Sequence, residues 1–469
     1  MRPVKKSLID YFKAFVKAHP NRLYLFSEEE TLTVKETYRK VVMTAAYLKE
    51  KGVCAGDYVG LSGTRSIKAV LLYLATQYLG AIAVFCDPHA DVMTCINDMG
   101  VNINFKLVID SVGEEFSVGG EIIDFDALKP CEDFYVQTDV FAPAVVIFTS
   151  GSTGVNKGVV LSQYAYVNYI RSLTDIGGYL KRDCSLQMLP IFHVFGLNQI
   201  HDTVIHRFAN FFPKTVTPEY VLQCIEKYKF TRFAFVPSFA LMMADINDVK
   251  KYDIESLKAV VISGASSTKE QFDRIESSLG CKLVPVYGMS ECPMISGAAP
   301  EEPAEKRASS VGKPVKMAKV RIEEDGEITV NCPYLFLGYY GEEPIDQKAY
   351  FHTGDLGYFD EDGFLHITGR KKDIIIRNGN NLSPLAIEEK LMKLDFIDAA
   401  SVVGVKDEVC GEAPAAAIVL KPGASFDEQA VKSVLNKLEM PVEFRFFDKL
   451  PLGKTGKTDK KKIKEILSE

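Results

Sequence analysis

From the N-terminus to about residue 300, short β-prone apolar runs alternate with stretches whose apolar positions recur at helical spacing. The runs are "DYVGLSG" (57–63), "AIAVFC" (81–86), "RFAFVPS" (232–238), "AVVISGA" (259–265) and "KLVPVYG" (282–288); helical patterns occupy 66–79 and the region near 268–279. That rhythm predicts βα units and buried, largely parallel sheets, whose carboxyl ends are where ligands tend to bind. At the N-terminus, Leu8, Phe12 and Phe15 share one face of a short helix, and Asp10, Lys13 and Lys17 interrupt every apolar run, so no secretory signal is read there. The longest apolar stretch, "AVLLYLATQYLGAIAVFC" (69–86), is divided by Gln77 and Gly80. It reads as a helix ended by glycine and followed by a strand, not as a transmembrane segment.

After residue 310 the pattern shortens. "VRIEEDGEITV" and "GYFDEDGFLHITG" each place Asp-Gly, at 325–326 and 362–363, between alternating runs, a strong hairpin signal. Farther on, Ser383-Pro384 opens a helix with Ile387 and Leu391 on one face, and a second helix follows Asp427 with Val431, Val434, Leu435 and Leu438. With "AASVVGV" and "APAAAIVL" these make a small α+β domain. The expected architecture is multidomain α/β: a large N-terminal domain of parallel-rich sheets with a small β-barrel-like subdomain (1–371), then a small mobile C-terminal α+β domain (372–469). The boundary falls in the charged "GRKKD" (369–373).

Composition supports this division. A chain of 469 residues exceeds one ordinary core, and 47% hydrophobic with 25% charged residues is globular. The net charge of −7 offers no global basic field to nucleic acid. Ten cysteines without a C-x-x-C pair imply reduced thiols, a cytoplasmic protein and no structural zinc.

Four stretches carry candidate chemistry. "FTSGSTGVNKG" (148–158) lies between two predicted strands, unlike a Walker A loop, which runs directly into a helix. Gly151 and Gly154 let backbone N–H groups approach an anion, Thr149, Ser150, Ser152 and Thr153 can donate, and Lys157 adds charge; the ordinary alternative is a mobile turn. "VYGMSE" (286–291) ends a strand with Tyr287 to stack on a base, Gly288, Ser290 to meet a phosphate and Glu291 to hold Mg²⁺, or is a plain strand-to-turn sequence. Asp355 in "FHTGDLG" can accept from two ribose hydroxyls, with Arg370 after the hairpin, or is a turn aspartate. "LPLGKTGKTDKKKI" (450–463) repeats Gly-Lys-Thr, but Asp448 and Pro451 stand where Walker A needs glycine. It offers a lysine on a mobile loop, or a solvated basic tail.

Taken together and in order, the set resembles the adenylate-forming enzymes, the superfamily of acyl-CoA synthetases, adenylation domains and luciferases. "FTSGSTGVNKG" is similar to its phosphate loop, "LPIFHVFGL" (189–197) to its acid-pocket motif and "VYGMSE" to its adenine and magnesium motif. "GEITVNCPYLFLGYY", "FHTGDLG" and "GRKKDIIIRNGNNLSPLAIEE" resemble core and hinge motifs, and "PLGKTGKTDKKK" the C-terminal lysine motif. Asn156 replaces a usual proline and Cys332 a common glycine; neither removes a functional group.

The resemblance implies that a carboxylate attacks the α-phosphorus of ATP, giving acyl-AMP and pyrophosphate, and that the acyl group then passes to a thiol. Lys457 would bridge carboxylate, α-phosphate and ribose, the loop 149–158 would hold the β- and γ-phosphates, and Glu291 would carry Mg²⁺. Tyr287 would face adenine beside Gly264 and Ala265, and Asp355 and Arg370 would take the ribose. Lys372 would be the hinge that withdraws Lys457 and presents Gly379 to a pantetheine tunnel. Amino-acid-activating members carry an aspartate in the acid-pocket motif; here His193 stands among Phe192, Phe195 and Leu197, with Phe235, Ser238, Phe239 and Met294 as wall candidates, which implies a fatty or aromatic carboxylic acid. The expected acceptor is coenzyme A, with the phosphopantetheine of a carrier protein acting in trans as runner-up. A non-catalytic nucleotide-binding protein is the third reading.

Overall fold

The structure, a computed structural model, describes residues 1–86, 105–110, 121–134, 136, 138–150, 156–177, 183–264, 269–452 and 458–468. Two large sheets carry the N-terminal part. The seven-stranded sheet runs in the order Gly338–Tyr339, Asn156–Ser162, Pro143–Ser150, Ile82–Cys86, Tyr58–Ser62, Phe105–Asp110, Glu121–Ile122. Its last five strands are mutually parallel, and its first two join antiparallel. The nine-stranded sheet has Lys282–Tyr287, Ala259–Ile262, Arg232–Phe235, Cys184–Leu186, Ala209–Phe211 and Leu23–Phe26 parallel, with antiparallel edges.

The apolar run 69–86 divides as its glycine predicts. Helix Ile67–Leu79 is capped by Ser66 and ends at Gly80 with φ +70, and strand Ile82–Cys86 follows, fully buried between two parallel neighbours. Among the described residues no helix is long and apolar enough to cross a membrane. Helix Leu8–Ala18 starts at a Ser7–Asp10 capping box and buries Leu8, Phe12 and Phe15 completely.

Both Asp-Gly hairpins form. Lys319–Ile322, Glu327–Asn331, Phe351–Phe359 and Leu365–Arg370 make an antiparallel sheet in that linear order, turning through Gly326 (φ +84) and Gly363 (φ +80). A 3-10 turn, Lys371–Asp373, leads from Arg370 to Ile375–Arg377 and so into the five-stranded C-terminal sheet. Helix Pro384–Leu391 packs there as expected, capped by Ser383. The helix after Asp427 covers only Glu428–Val434, so Leu438 lies beyond it. Asn436 is the reason: its side-chain oxygen accepts from the N–H groups of Leu438 and Glu439, a turn that competes with another helical cycle.

Candidate active site

Strands of the two large sheets deliver Thr149, Gly264 and Tyr287 at or just past their carboxyl ends, Lys157 stands at the amino end of a returning strand, and Asp355 and Arg370 come from the four-stranded antiparallel sheet. In the seven-stranded sheet, Pro143–Ser150 and Asn156–Ser162 form a hairpin in which Thr149 pairs with Lys157, so "FTSGSTGVNKG" is a loop between strands, not a strand-to-helix turn. Gly151, Ser152, Thr153 and Gly154 lie outside the described residues, as do Ala265 and Lys457; of Ser150 only the strand position is described. In the nine-stranded sheet Ile262 pairs with Pro285 in parallel register, which sets Gly264, with φ +91, level with Tyr287.

A turn follows Tyr287. Met289 and Cys292 exchange backbone hydrogen bonds, and a side chain at Gly288 would place its Cβ 2.4 Å from the Pro293 carbonyl oxygen, so only glycine fits. Ser290 is half-buried on this turn, and Glu291 is 8% exposed. The Phe336 N–H donates to the Glu291 carbonyl, and the Tyr339 hydroxyl donates to Glu291 Oε1 at 2.7 Å. Strand Gly338–Tyr339 pairs with Asn156–Ser162, which brings Lys157 Nζ to 4.2 Å from the Tyr339 ring centre and 3.2 Å from Glu342 Oε1. Lys157, Tyr339 and Glu291 are thereby one continuous set. Burial, then the neighbouring Glu291 carboxylate, pushes the Tyr339 hydroxyl far above its ordinary range, so it remains a donor. Cys332, the departure from the common glycine, packs its sulfur 3.5 Å from that of Cys292 beneath the same turn.

A second set centres on Asp355, 6% exposed. The Tyr287 hydroxyl donates to its Oδ2 at 2.7 Å, and Arg370 Nε lies 3.0 Å from its Oδ1. Burial first, and Asp355 next, push Tyr287 well above the ordinary tyrosine range and keep its proton in place. Strand register explains the meeting, since Asp355 and Arg370 are direct cross-strand partners.

His193 is half-buried at the N-cap of helix Val194–His206, its ring 4.2 Å from that of Phe192. Phe192 in turn packs so tightly on Gly63, at the end of Tyr58–Ser62, that a Cβ there would lie 2.3 Å from Phe192 Cβ. Phe195, Asn198, Gln199 and Asp202 of the helix face Phe233, Val261 and Val284 across a cavity of about 40 Å³. Phe235 and Met294 are buried, Phe239 half-buried, and Ser238 exposed. Lys372 is exposed on the turn between the two sheets, and Gly379 (φ +78) is exposed at the tip of the Ile375–Arg377 and Asn380–Leu382 hairpin. Within the lysine motif Leu452 pairs with Thr458 in an isolated antiparallel bridge. Tyr339, Glu342 and Glu327 were not singled out from the sequence; the "GEITVNCPYLFLGYY" motif contains Tyr339 and Glu327 and was the available signal.

The model of the AMP-binding enzyme family matches residues 12–340, and that of the AMP-binding enzyme C-terminal domain matches 386–457. A 2-succinylbenzoate–CoA ligase from Listeria innocua is 28% identical, covering 98% of this chain and 99% of its own. The o-succinylbenzoate CoA synthetase of Bacillus subtilis, solved with its acyl-adenylate intermediate, superposes with a TM-score of 0.83 at 25% identity over 99% of this chain and 98% of that one. The same enzyme solved with ATP and a magnesium ion gives 0.83 and 25% over 98% and 99%. The chain therefore belongs to the AMP-binding enzyme family, within the adenylate-forming acyl-CoA ligase superfamily, and is an AMP-forming acid–thiol ligase.

Proposed function

We propose that this chain adenylates an aromatic carboxylic acid at the junction of its two large sheets and passes the acyl group to coenzyme A. The observation that carries the reading is the Asp355 carboxylate. Each of its oxygens holds one donor, Tyr287 on Oδ2 and Arg370 on Oδ1. A carboxylate offers roughly four lone-pair sites, so one remains on each oxygen, the acceptor pattern that two ribose hydroxyls need. Tyr287 and Gly264, level on neighbouring strands, would line the adenine side, and Thr149 and Lys157, cross-strand partners in the phosphate-loop hairpin, would meet the phosphates.

Adenylation brings two anions together. Unit charges ~4 Å apart repel by ~4 kcal/mol at an effective dielectric of about 20. Left unopposed, that would slow the step roughly a thousandfold. Lys157 and the loop amides oppose it at the β- and γ-phosphates, and Lys457 at the carboxylate and α-phosphate. Glu291 suits Mg²⁺ that is shared with phosphate oxygens: it is a single buried carboxylate oriented by Tyr339, and among the described residues no cluster of three or more ligating side chains offers a closed cage. Bound there, the ion would neutralise developing charge on the leaving pyrophosphate.

Rotation of the small domain about Lys372, with the boundary between residues 371 and 372, would exchange the Lys457 loop for the hairpin at Gly379. The 3-10 turn Lys371–Asp373 supports this placement, because the chain crosses between the two sheets there. The relatives act on an aromatic acid with CoA, which favours those substrates over fatty acids and over a carrier protein. His193 and Phe195 would border the acid. Pyrophosphate exchange driven by aromatic, fatty, dicarboxylic and amino acids, followed by CoA addition, tests the proposal. Aromatic acids should lead and yield CoA thioesters; exchange driven best by fatty acids, or by none of these, would overturn it.

A further inference from the structure

We propose that Glu327 is a positioning residue for the nucleotide: one buried carboxylate braces both the turn that carries Asp355 and the strand end that carries Arg370. Glu327 opens strand Glu327–Asn331 and is 5% exposed. Its Oε1 accepts from the Gly354 N–H at 3.0 Å, and Oε2 lies 2.9 Å from Lys371 Nζ and 3.0 Å from His352 Nδ1. Gly354 precedes Asp355 and adopts φ +73 with nothing near an added Cβ, so glycine is needed there for conformation and not for space. Thr353 completes the clamp, accepting from the Asp355 N–H and donating to the Ile328 carbonyl.

A buried carboxylate is costly unless it is paired, and this one is held ionised against its own burial by Lys371, His352 and the Gly354 amide. Of these donors, Gly354 adjoins Asp355 and Lys371 adjoins Arg370. The two halves of the Asp355–Arg370 pair are thus referenced to one anion, which fixes their spacing on adjacent strands. Lys371 is also tied to Asp325 at 2.6 Å, which pins the hinge turn on its N-terminal side and leaves Lys372 as the first residue free of that clamp.

This inference rests on the ribose role proposed above for Asp355 and Arg370, and its readout is the ribose itself. Calorimetric affinities of the full chain for ATP and 2′,3′-dideoxy-ATP would be compared for the unaltered protein, Glu327→Gln and the exposed Lys371→Met. The unaltered chain should prefer ATP. Glu327→Gln should weaken ATP roughly tenfold, the worth of one charged hydrogen bond, while dideoxy-ATP changes by less than about twofold. Lys371→Met should act in the same direction on the ATP to dideoxy-ATP ratio, with some loss of melting temperature because the buried Glu327 carboxylate is then less well paired. A merely structural Glu327 would move both nucleotides alike or neither, and that result overturns the proposal. Equal affinity of the unaltered chain for the two nucleotides would remove the ribose reading and this inference with it. Loss of acid-driven exchange with ribose discrimination intact would strike only the activity.

Discussion

His201 makes the stability of this chain fall on acidification by an amount that the structure allows to be worked out. It lies in helix Val194–His206, 1% exposed, with Nε2 2.6 Å from the Tyr73 hydroxyl and its ring stacked 4.2 Å from that of Tyr166. Its Nδ1 makes no hydrogen bond among the described residues. Burial lowers its pKa from the ordinary 6.5 to about 3, with the Asp202 carboxylate acting in the opposite direction. A histidine depressed in the folded state takes up its proton on unfolding first, so stability is full above pH ~6.5 and is lost as pH falls toward ~3. At about 1.36 kcal/mol per pH unit, the loss between pH 7 and pH 5 is about 2 kcal/mol, reaching ~4 kcal/mol at pH 3. Urea unfolding of the unaltered chain and of His201→Gln across pH 5–7.5 isolates this quantity. The pH slopes are compared, so other titrating groups and any constant destabilisation cancel. The unaltered chain should lose about 2 kcal/mol more than the variant by pH 5; parallel curves would refute the assignment of His201 as buried and neutral.

Three further outcomes follow from the site. Lys457→Ala should abolish adenylation yet leave thioester formation from supplied acyl-AMP largely intact; equal loss of both half-reactions would sink the exchange of loops about Lys372. Tyr339→Phe removes the donor to Glu291 and should raise the magnesium concentration for half-maximal adenylation roughly tenfold, as loss of an outer-shell partner does; an unchanged magnesium requirement would detach Glu291 from the ion. Gly288→Ala forces a Cβ to 2.4 Å from the Pro293 carbonyl, so thermal unfolding should show a loss of about 1–3 kcal/mol together with weakened adenylation, and a neutral result would mean the turn yields freely.

Local chemistry was legible in the sequence. Asp325-Gly326 and Asp362-Gly363 turn their hairpins, Gly80 ends its helix left-handed, and Ser383 caps the helix expected of it. Each depends on a few adjacent residues. The Glu428–Val434 helix stops early for an equally local reason, the Asn436 turn, which the apolar spacing through Leu438 concealed. What could not be read is register between distant strands. Gly338–Tyr339 is an edge addition to Asn156–Ser162, and only that pairing sets Tyr339 between Lys157 and Glu291. Glu327 looked like one polar position in an alternating strand, because its partners arrive from the next two strands of the sheet.

The partners of the candidate charges differ in worth, and the difference assigns each a role. Lys157 is paired with Glu342, and both side chains are about half exposed, at 41% and 55%. Such pairs contribute about 0–1 kcal/mol, so incoming phosphate can take Lys157 from Glu342 at little cost. Asp355 is different: its side chain is 8% exposed, and removing a donor would leave a buried charge poorly met. On the ribose role proposed above, its contacts to Tyr287 and Arg370 would persist when the ribose adds to them, so Asp355 would serve as a fixed acceptor and Lys157 as an exchangeable cation. Glu291 lies between these cases, since its one hydroxyl partner comes from Tyr339 and a divalent ion can compete for the remaining lone pairs without displacing it. On the roles proposed above, the ribose would meet the buried, multiply held Asp355, and the departing phosphates would meet the exposed Lys157 together with an ion on the buried Glu291.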